Sequence, residues 1–150
     1  MSTILVTGGA GFIGSHLCER LLNDGAKVIC LDNFDNFYDP NIKIKNVEGI
    51  AKKFSEPFIL VTGDIRNPDH LRGIFQKNQI DSVVHLAARA GVRPSIAEPL
   101  LYQDVNIRGT VTLLEACKEH QIKNFVFASS SSVYGENQRV PFTEEDLDIQ

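Results

Sequence analysis

Glycines 8, 11 and 14, within Thr7-Gly8-Gly9-Ala10-Gly11-Phe12-Ile13-Gly14, follow a short apolar run and open a helical pattern. That placement suits a phosphate cradle. Gly8 allows a tight turn after a strand, Gly11 lets backbone approach a pyrophosphate, and Gly14 lets the helix pack closely on a sheet. The first N–H groups of the helix, at Phe12 and Ile13, then face the anion, each charge–dipole contact being worth about 1 kcal/mol. The spacing is G-x-x-G-x-x-G, one residue longer than the G-x-G-x-x-G dehydrogenase fingerprint. Asp32 stands 24 residues after Gly8 at the end of a second apolar run. A carboxylate there can accept both hydroxyls of an adenosine ribose and would repel a 2′-phosphate. No arginine follows it closely, so NAD is expected over NADP.

Asp64, in Gly63-Asp64-Ile65-Arg66, ends a third run, where it can accept from an adenine amino group or form a loop salt bridge with Arg66. After a fourth run comes His85-Leu86-Ala87-Ala88-Arg89-Ala90-Gly91-Val92-Arg93, in which the small residues let backbone lie along a cofactor. His85 reads as a satisfied core histidine. Arg89 and Arg93 can each grip a phosphate or carboxylate through two N–H groups, or simply be solvated. Ser129-Ser130-Ser131-Ser132 follow a fifth run, with hydroxyls able to bond a sugar or to make a polar turn. There is no G-x-S-x-G elbow, which disfavours serine-nucleophile hydrolysis. Histidines 16, 70, 85 and 120 have no ligand spacing, and no metal is assigned.

Five short runs must carry these groups: Ile4–Thr7, Lys27–Leu31, Phe58–Thr62, Ser82–His85 and Asn124–Ala128. They lack polar alternation, as strands buried on both faces do. Between them the pattern is helical: Ile13, Leu17 and Leu21 at four-residue spacing, with Gly25 as a left-handed stop; Leu71, Ile74 and Phe75 between Pro68 and Lys77; and Leu101, Val105, Gly109, Thr112 and Ala116 on one face of a long helix. Gly109 would permit close approach to the sheet. Asn33 to Glu56 reads as a loop followed by one helix, and Thr143-Glu144-Glu145-Asp146 as an acidic helix start or a surface loop. Strands alternating with helices predict an α/β, doubly wound parallel sheet of Rossmann type with helices on both faces.

At 150 residues the chain suits one domain, and a net charge of −4 without a basic block argues against nucleic acid. Cys18, Cys30 and Cys117 show no C-x-x-C or metal-like spacing and read as reduced, buried thiols. No basic stretch leads into a long apolar segment, so neither signal peptide nor membrane span is expected, and the cytoplasm is the default compartment.

Together the glycine loop, Leu31-Asp32-Asn33, Gly63-Asp64-Ile65-Arg66, His85-Leu86-Ala87-Ala88, Val105-Asn106 with Gly109-Thr110, and Ser129 through Val133-Tyr134-Gly135 resemble the extended short-chain dehydrogenase/reductase family, in its NAD-dependent epimerase/dehydratase branch. Within the branch, Asp32-Asn33-Phe34, Tyr38-Asp39-Pro40, Ala88-Arg89-Ala90-Gly91-Val92-Arg93 and the serine run look most like UDP-glucuronate 4-epimerases, with UDP-glucose 4-epimerases close behind. The resemblance implies that Asn33, Ile65, Asn106 and Ser129 join the NAD contacts, that Ser130 polarises the sugar 4-hydroxyl, and that Arg89, Arg93, Ser131 and Ser132 face a UDP-sugar. The implied mechanism is transient oxidation at C4 to a 4-keto sugar, rotation, and return of the hydride on the other face.

That mechanism needs a tyrosine with a lysine four residues on. Tyr38, Tyr102 and Tyr134 are followed there by Ile42, Asn106 and Gln138. In relatives the catalytic tyrosine would fall just past Gln150, and a smaller C-terminal substrate domain comes after it. The expectation is therefore an N-terminal, NAD-binding portion of a longer homodimeric enzyme, inactive by itself. Two alternatives are a nucleotide-sugar 4,6-dehydratase and a non-catalytic NAD-binding or sensing module. Dehydratases of this branch carry an Asp-Glu pair where Ser131 and Ser132 stand, which favours the epimerase.

Overall fold

The computed structural model describes residues 1–136 and 140–145. Five strands, β1 (Thr3–Thr7), β2 (Lys27–Asp32), β3 (Phe58–Thr62), β4 (Ser82–His85) and β5 (Asn124–Phe127), form one parallel sheet in the order β3-β2-β1-β4-β5. Strand order reverses between β1 and β4, and a crevice opens at the carboxyl ends of the strands there.

The helices are α1 (Phe12–Asn23), α2 (Pro40–Lys53), α3 (Pro68–Lys77), α4 (Val92–Ala97), α5 (Pro99–Tyr102) and α6 (Gly109–Glu119). Alternate residues of the inner strands serve opposite layers. Leu5, Ile29, Leu31 and Val83 pack with Leu71, Phe75, Leu113 and Cys117 of α3 and α6. Val6, Val28 and Cys30 pack with Cys18, Leu22, Val47 and Ile50 of α1 and α2. The inner strands β2, β1 and β4 are thus covered on both faces, as their unbroken apolar runs predict.

Local signals set most element ends. Asn67 accepts from the backbone N–H groups of Asp69 and His70 and caps α3, and Asp39 accepts from Asn41 N and caps α2. The three cysteines are free and buried. A hydrogen bond with Cys18, together with burial, pushes the Cys30 thiol up, and burial pushes Cys117 up to about 11, so both are poor nucleophiles.

Three patterns differ from the expectation. The buried face of α1 is Gly14, Cys18 and Leu22, one position on from Ile13, Leu17 and Leu21; Ile13 is 67% exposed beside the crevice. The long helix from Leu100 is interrupted by a π-helical stretch at Gln103–Arg108, which holds more residues per turn and so rotates α6 about the helix axis. Gly109, Leu113, Ala116 and Cys117 consequently face inward, and Thr112 does not. A Cβ at Gly109 would press on Ile65 and Arg66, so the close approach is to the loop after β3 and not to the sheet. Finally, neither β3 nor β5 is buried on both faces, because each is the last strand at its side of the sheet. Of the acidic stretch near the end, Glu144 and Glu145 form a turn and Asp146 lies outside the described residues.

Candidate functional site

Gly8 sits at φ +69°, and a Cβ there would lie 2.8 Å from Ala87 N. The glycine therefore lets the loop after β1 press on the loop after β4. A Cβ at Gly14 would collide with the Gly8 carbonyl oxygen. Gly11 is the N-cap of α1 and offers no side-chain oxygen, and the first turn carries no acidic residue. The helix start is left open for an external anion.

This turn forms one wall of a crevice of about 310 Å³, at the lower end of ligand-pocket sizes. Gly8, Gly11, Phe12, Ile13, Gly14, Asp32, Asn33, Asp64, Ile65, Leu86, Ala87, Ala88 and Arg89 all line it, and so do Asp35, Phe37, Tyr38, Lys43 and Val105, which the sequence did not mark as site residues.

Asp32 ends β2 with its side chain only 3% exposed. Its carboxylate accepts from Ala10 N at 3.2 Å, Phe34 N at 2.9 Å and Lys43 Nζ at 3.0 Å. The bond to Phe34 helps hold that residue at φ +53°, a strained value for a bulky side chain. The same one-to-three turn recurs along the loop, as Asn33 accepts from Asp35 N and Asp35 from Phe37 N. Asp64 makes the loop salt bridge: Arg66 donates Nε, Nη2 and its backbone N–H, and Asn33 donates Nδ2. The guanidinium holds this carboxyl well below the usual carboxylate range. With four protein donors already on it, an adenine amino group would come to Asp64 only as a further donor. Arg66 also reaches Asp104 at 2.8 Å, tying this loop to the π-helical stretch.

At the centre His85 is buried with both ring nitrogens bonded, Nδ1 to Thr7 Oγ1 at 2.6 Å and Nε2 to Thr110 Oγ1 at 2.9 Å. Thr110 donates to the Asn106 carbonyl, which makes its hydroxyl the acceptor from Nε2. Thr7 then donates to Nδ1 and accepts from Ala87 N. Burial pushes His85 down to about 4, so it is neutral and structural.

Asn106 does not line the crevice. Its amide accepts from Arg89 N at 2.8 Å and donates to Arg89 O at 2.9 Å, fixing the loop after β4. Arg89 does meet a carboxylate, but one of this chain: Nη1 donates to Asp35 at 2.9 Å across the crevice. The guanidinium lies over the rings of Phe37 and Tyr102, and its buried Nε has no partner among the described residues. Arg93 is exposed on α4, outside the crevice lining.

Ser129, Ser130, Ser131 and Ser132 are exposed beyond Ala128, which is the crevice residue nearest them in sequence. Ser130 N-caps the 3₁₀ turn Ser131–Tyr134, accepting from Ser132 N and donating to Ser132 Oγ. The signal for the missed Lys43 was faint: a lysine in the first place of the apolar stripe Lys43, Val47 and Ile50, opposite a strand-end carboxylate.

A family model described as GDP-mannose 4,6 dehydratase matches residues 5–148. The chain is 41% identical over 142 residues to a bifunctional UDP-glucose 4-epimerase and UDP-xylose 4-epimerase of Pisum sativum, covering 95% of this chain and 40% of that protein. It is 44% identical over 145 residues to UDP-glucuronate 4-epimerase 4 of Arabidopsis thaliana, covering 96% of this chain and 32% of that one. The crystal structure of UDP-glucose 4-epimerase from Bifidobacterium longum in complex with NAD+ and UDP superposes with a TM-score of 0.86 at 38% identity, over 96% of this chain and 42% of that chain. The chain therefore spans 32–42% of the length of these three proteins.

Proposed function

The chain belongs to the NAD-dependent epimerase/dehydratase family, and on that premise we propose that it is the NAD-binding portion, residues 1–150, of a longer nucleotide-sugar 4-epimerase. The observation that carries this reading is the uncapped start of α1 facing a crevice that the buried carboxylate of Asp32 also lines, bonded to Ala10 N of the same glycine loop. NAD in that crevice would supply a reversible hydride acceptor for carbon 4 of the sugar.

The residues divide the remaining work. Gly8, Gly11 and Gly14 bring backbone against the diphosphate, and the N–H groups of Phe12 and Ile13 bond it. Asp32, with Asn33, holds the adenosine ribose, while Asp64 and Ile65 border the adenine. Leu86, Ala87 and Ala88 give a flat, small-residue wall for the rest of the cofactor. Asn106 positions that wall through the backbone of Arg89. Ser130 bonds the sugar 4-hydroxyl, with Ser129 beside the cofactor and Ser131, Ser132, Arg89 and Arg93 toward the substrate. The tyrosine that removes the hydroxyl proton belongs to chain beyond Gln150. The whole protein is read as a cytoplasmic homodimer acting on a UDP-sugar, with no nucleic-acid or membrane partner. The relatives' own names, UDP-glucose, UDP-xylose and UDP-glucuronate 4-epimerase, support that substrate class.

A 4,6-dehydratase is the second reading, favoured by the description of the matching family model. Serines at 131 and 132 supply no carboxylic acid for eliminating water, which places the epimerase first. The first test is to sequence the natural coding region past codon 150. Tyr-x-x-x-Lys is expected there, and the full product is expected to interconvert C4-epimeric UDP-sugars when followed by NMR. A stop codon in that place would leave a non-catalytic NAD-binding or sensing module, and a 4-keto-6-deoxy product would identify a dehydratase.

A further inference from the structure

Lys43 occupies an unusual place. On α2 it takes the first position of the buried stripe Lys43, Val47 and Ile50, where an unpartnered ammonium would be costly. Its Nζ bonds Asp32 Oδ1 at 3.0 Å, with the two side chains 11% and 3% exposed, and lies 5.3 Å from the centre of the Tyr38 ring. Both residues line the crevice.

Donor counting gives this pair a further role. An ionised carboxylate has about four acceptor positions and accepts only. Ala10 N, Phe34 N and Lys43 Nζ take three of those on Asp32. About one acceptor position therefore remains for the two hydroxyls of an adenosine ribose. The ammonium, by contrast, has three protons, of which Asp32 takes one. The pair together offers the crevice an acceptor and spare donors, which is what a vicinal diol can use.

We propose that Lys43 is a specificity-determining residue of the cofactor site: Asp32 accepts from one ribose hydroxyl, Lys43 donates to the oxygen of the other, and Asp32 keeps Lys43 from serving as a phosphate site. The proposal rests on the NAD reading above. It makes the preference for NAD a property of the pair. With the carboxylate removed, Lys43 becomes a nearly buried cation at the ribose position, suited to a 2′-phosphate.

The test is calorimetric titration of the full natural gene product, freed of cofactor, with NAD and with NADP. Lys43→Met is expected to weaken NAD about tenfold, as loss of a hydrogen bond from a charged donor does, while Lys43→Arg retains most of the affinity. Asp32→Ser is expected to bind NADP at least about tenfold more tightly than the wild type, and Asp32→Ser/Lys43→Met to lose that gain. The double variant also guards against misfolding of Lys43→Met, since it leaves no unpaired buried charge. If Lys43→Met lowers the melting temperature but binds NAD like the wild type, Lys43 is only a tether of α2 to β2 and the proposal fails. It fails equally if the double variant keeps the NADP affinity of Asp32→Ser. Absence of NAD binding by the wild type would overturn the NAD reading itself, and this proposal with it.

Discussion

The two sides of the crevice are built to different degrees. On the β1-β2-β3 side, Asp32 and Asp64 are held by donors from several elements, and the loop between β2 and α2 is braced by successive side-chain-to-backbone bonds. On the β5 side, Val126 and Phe127 are 59% and 54% exposed and the serines after them are open to solvent. The first side carries its own packing and polar partners. The second presents apolar strand surface and exposed serines, of which the Ser130 and Ser132 hydroxyls bond only within that pair among the described residues. On the proposed reading, cofactor binding belongs to the described fold, and the chemistry at a sugar would depend on what meets the β5 side. That division agrees with a chain spanning about 40% of the epimerases it matches.

The strongest challenge to this division is Ser130→Ala in the full natural gene product. Loss of a group that assists proton transfer predicts a fall in kcat of about 10²- to 10⁴-fold with NAD affinity unchanged, read by steady-state kinetics and calorimetry. A matching loss of NAD affinity would show that the β5 side also builds the cofactor site. On the opposite side, Gly14→Ala sets a methyl against the Gly8 carbonyl. Overpacking of about 1–3 kcal/mol is expected, with weaker NAD binding, measured by thermal unfolding and titration; an unchanged melting temperature would contradict the rigid-loop account.

The junction of the two sides is pH-sensitive. His85 ionises near 4 in the fold and near 6.5 when unfolded, so between these values the unfolded chain binds more protons. Its contribution is full above pH 6.5 and is lost as the pH falls toward 4, on the order of 2–3 kcal/mol. His85→Gln should flatten that part of the denaturant-measured stability profile; an equally steep profile would remove His85 as its source. The smallest effect belongs to the bare strand: Val126→Thr, at a residue 59% exposed, should change stability in the 150-residue chain within about 0.5 kcal/mol, as exposed substitutions do. In the full protein the same change should cost several-fold more if further chain covers β5, and an equal effect in both would mean that nothing does.

The glycine loop, the boundaries of the four strands from Lys27 onward to within a residue, the Gly25 stop and the stripe of α3 were legible because each rests on residues near one another in sequence. Asp32 was legible for the same reason, as a carboxylate at a strand end. The face of α6 was not, since a π-helical stretch changes its phase without any local mark in composition. Nor was the use of Asn106, which pairs with backbone 17 residues away.

By itself, then, the sequence determined the alternation of strands and helices, the glycine turn that opens α1 and the strand-end carboxylate beside it, because glycine conformations, apolar runs and caps are local properties. Tertiary structure alone decided which of those groups are already occupied. Lys43 on Asp32, Arg89 on Asp35 and Thr7 on His85 join residues 11, 54 and 78 positions apart, and such pairings exist only once the sheet has brought its loops to one edge.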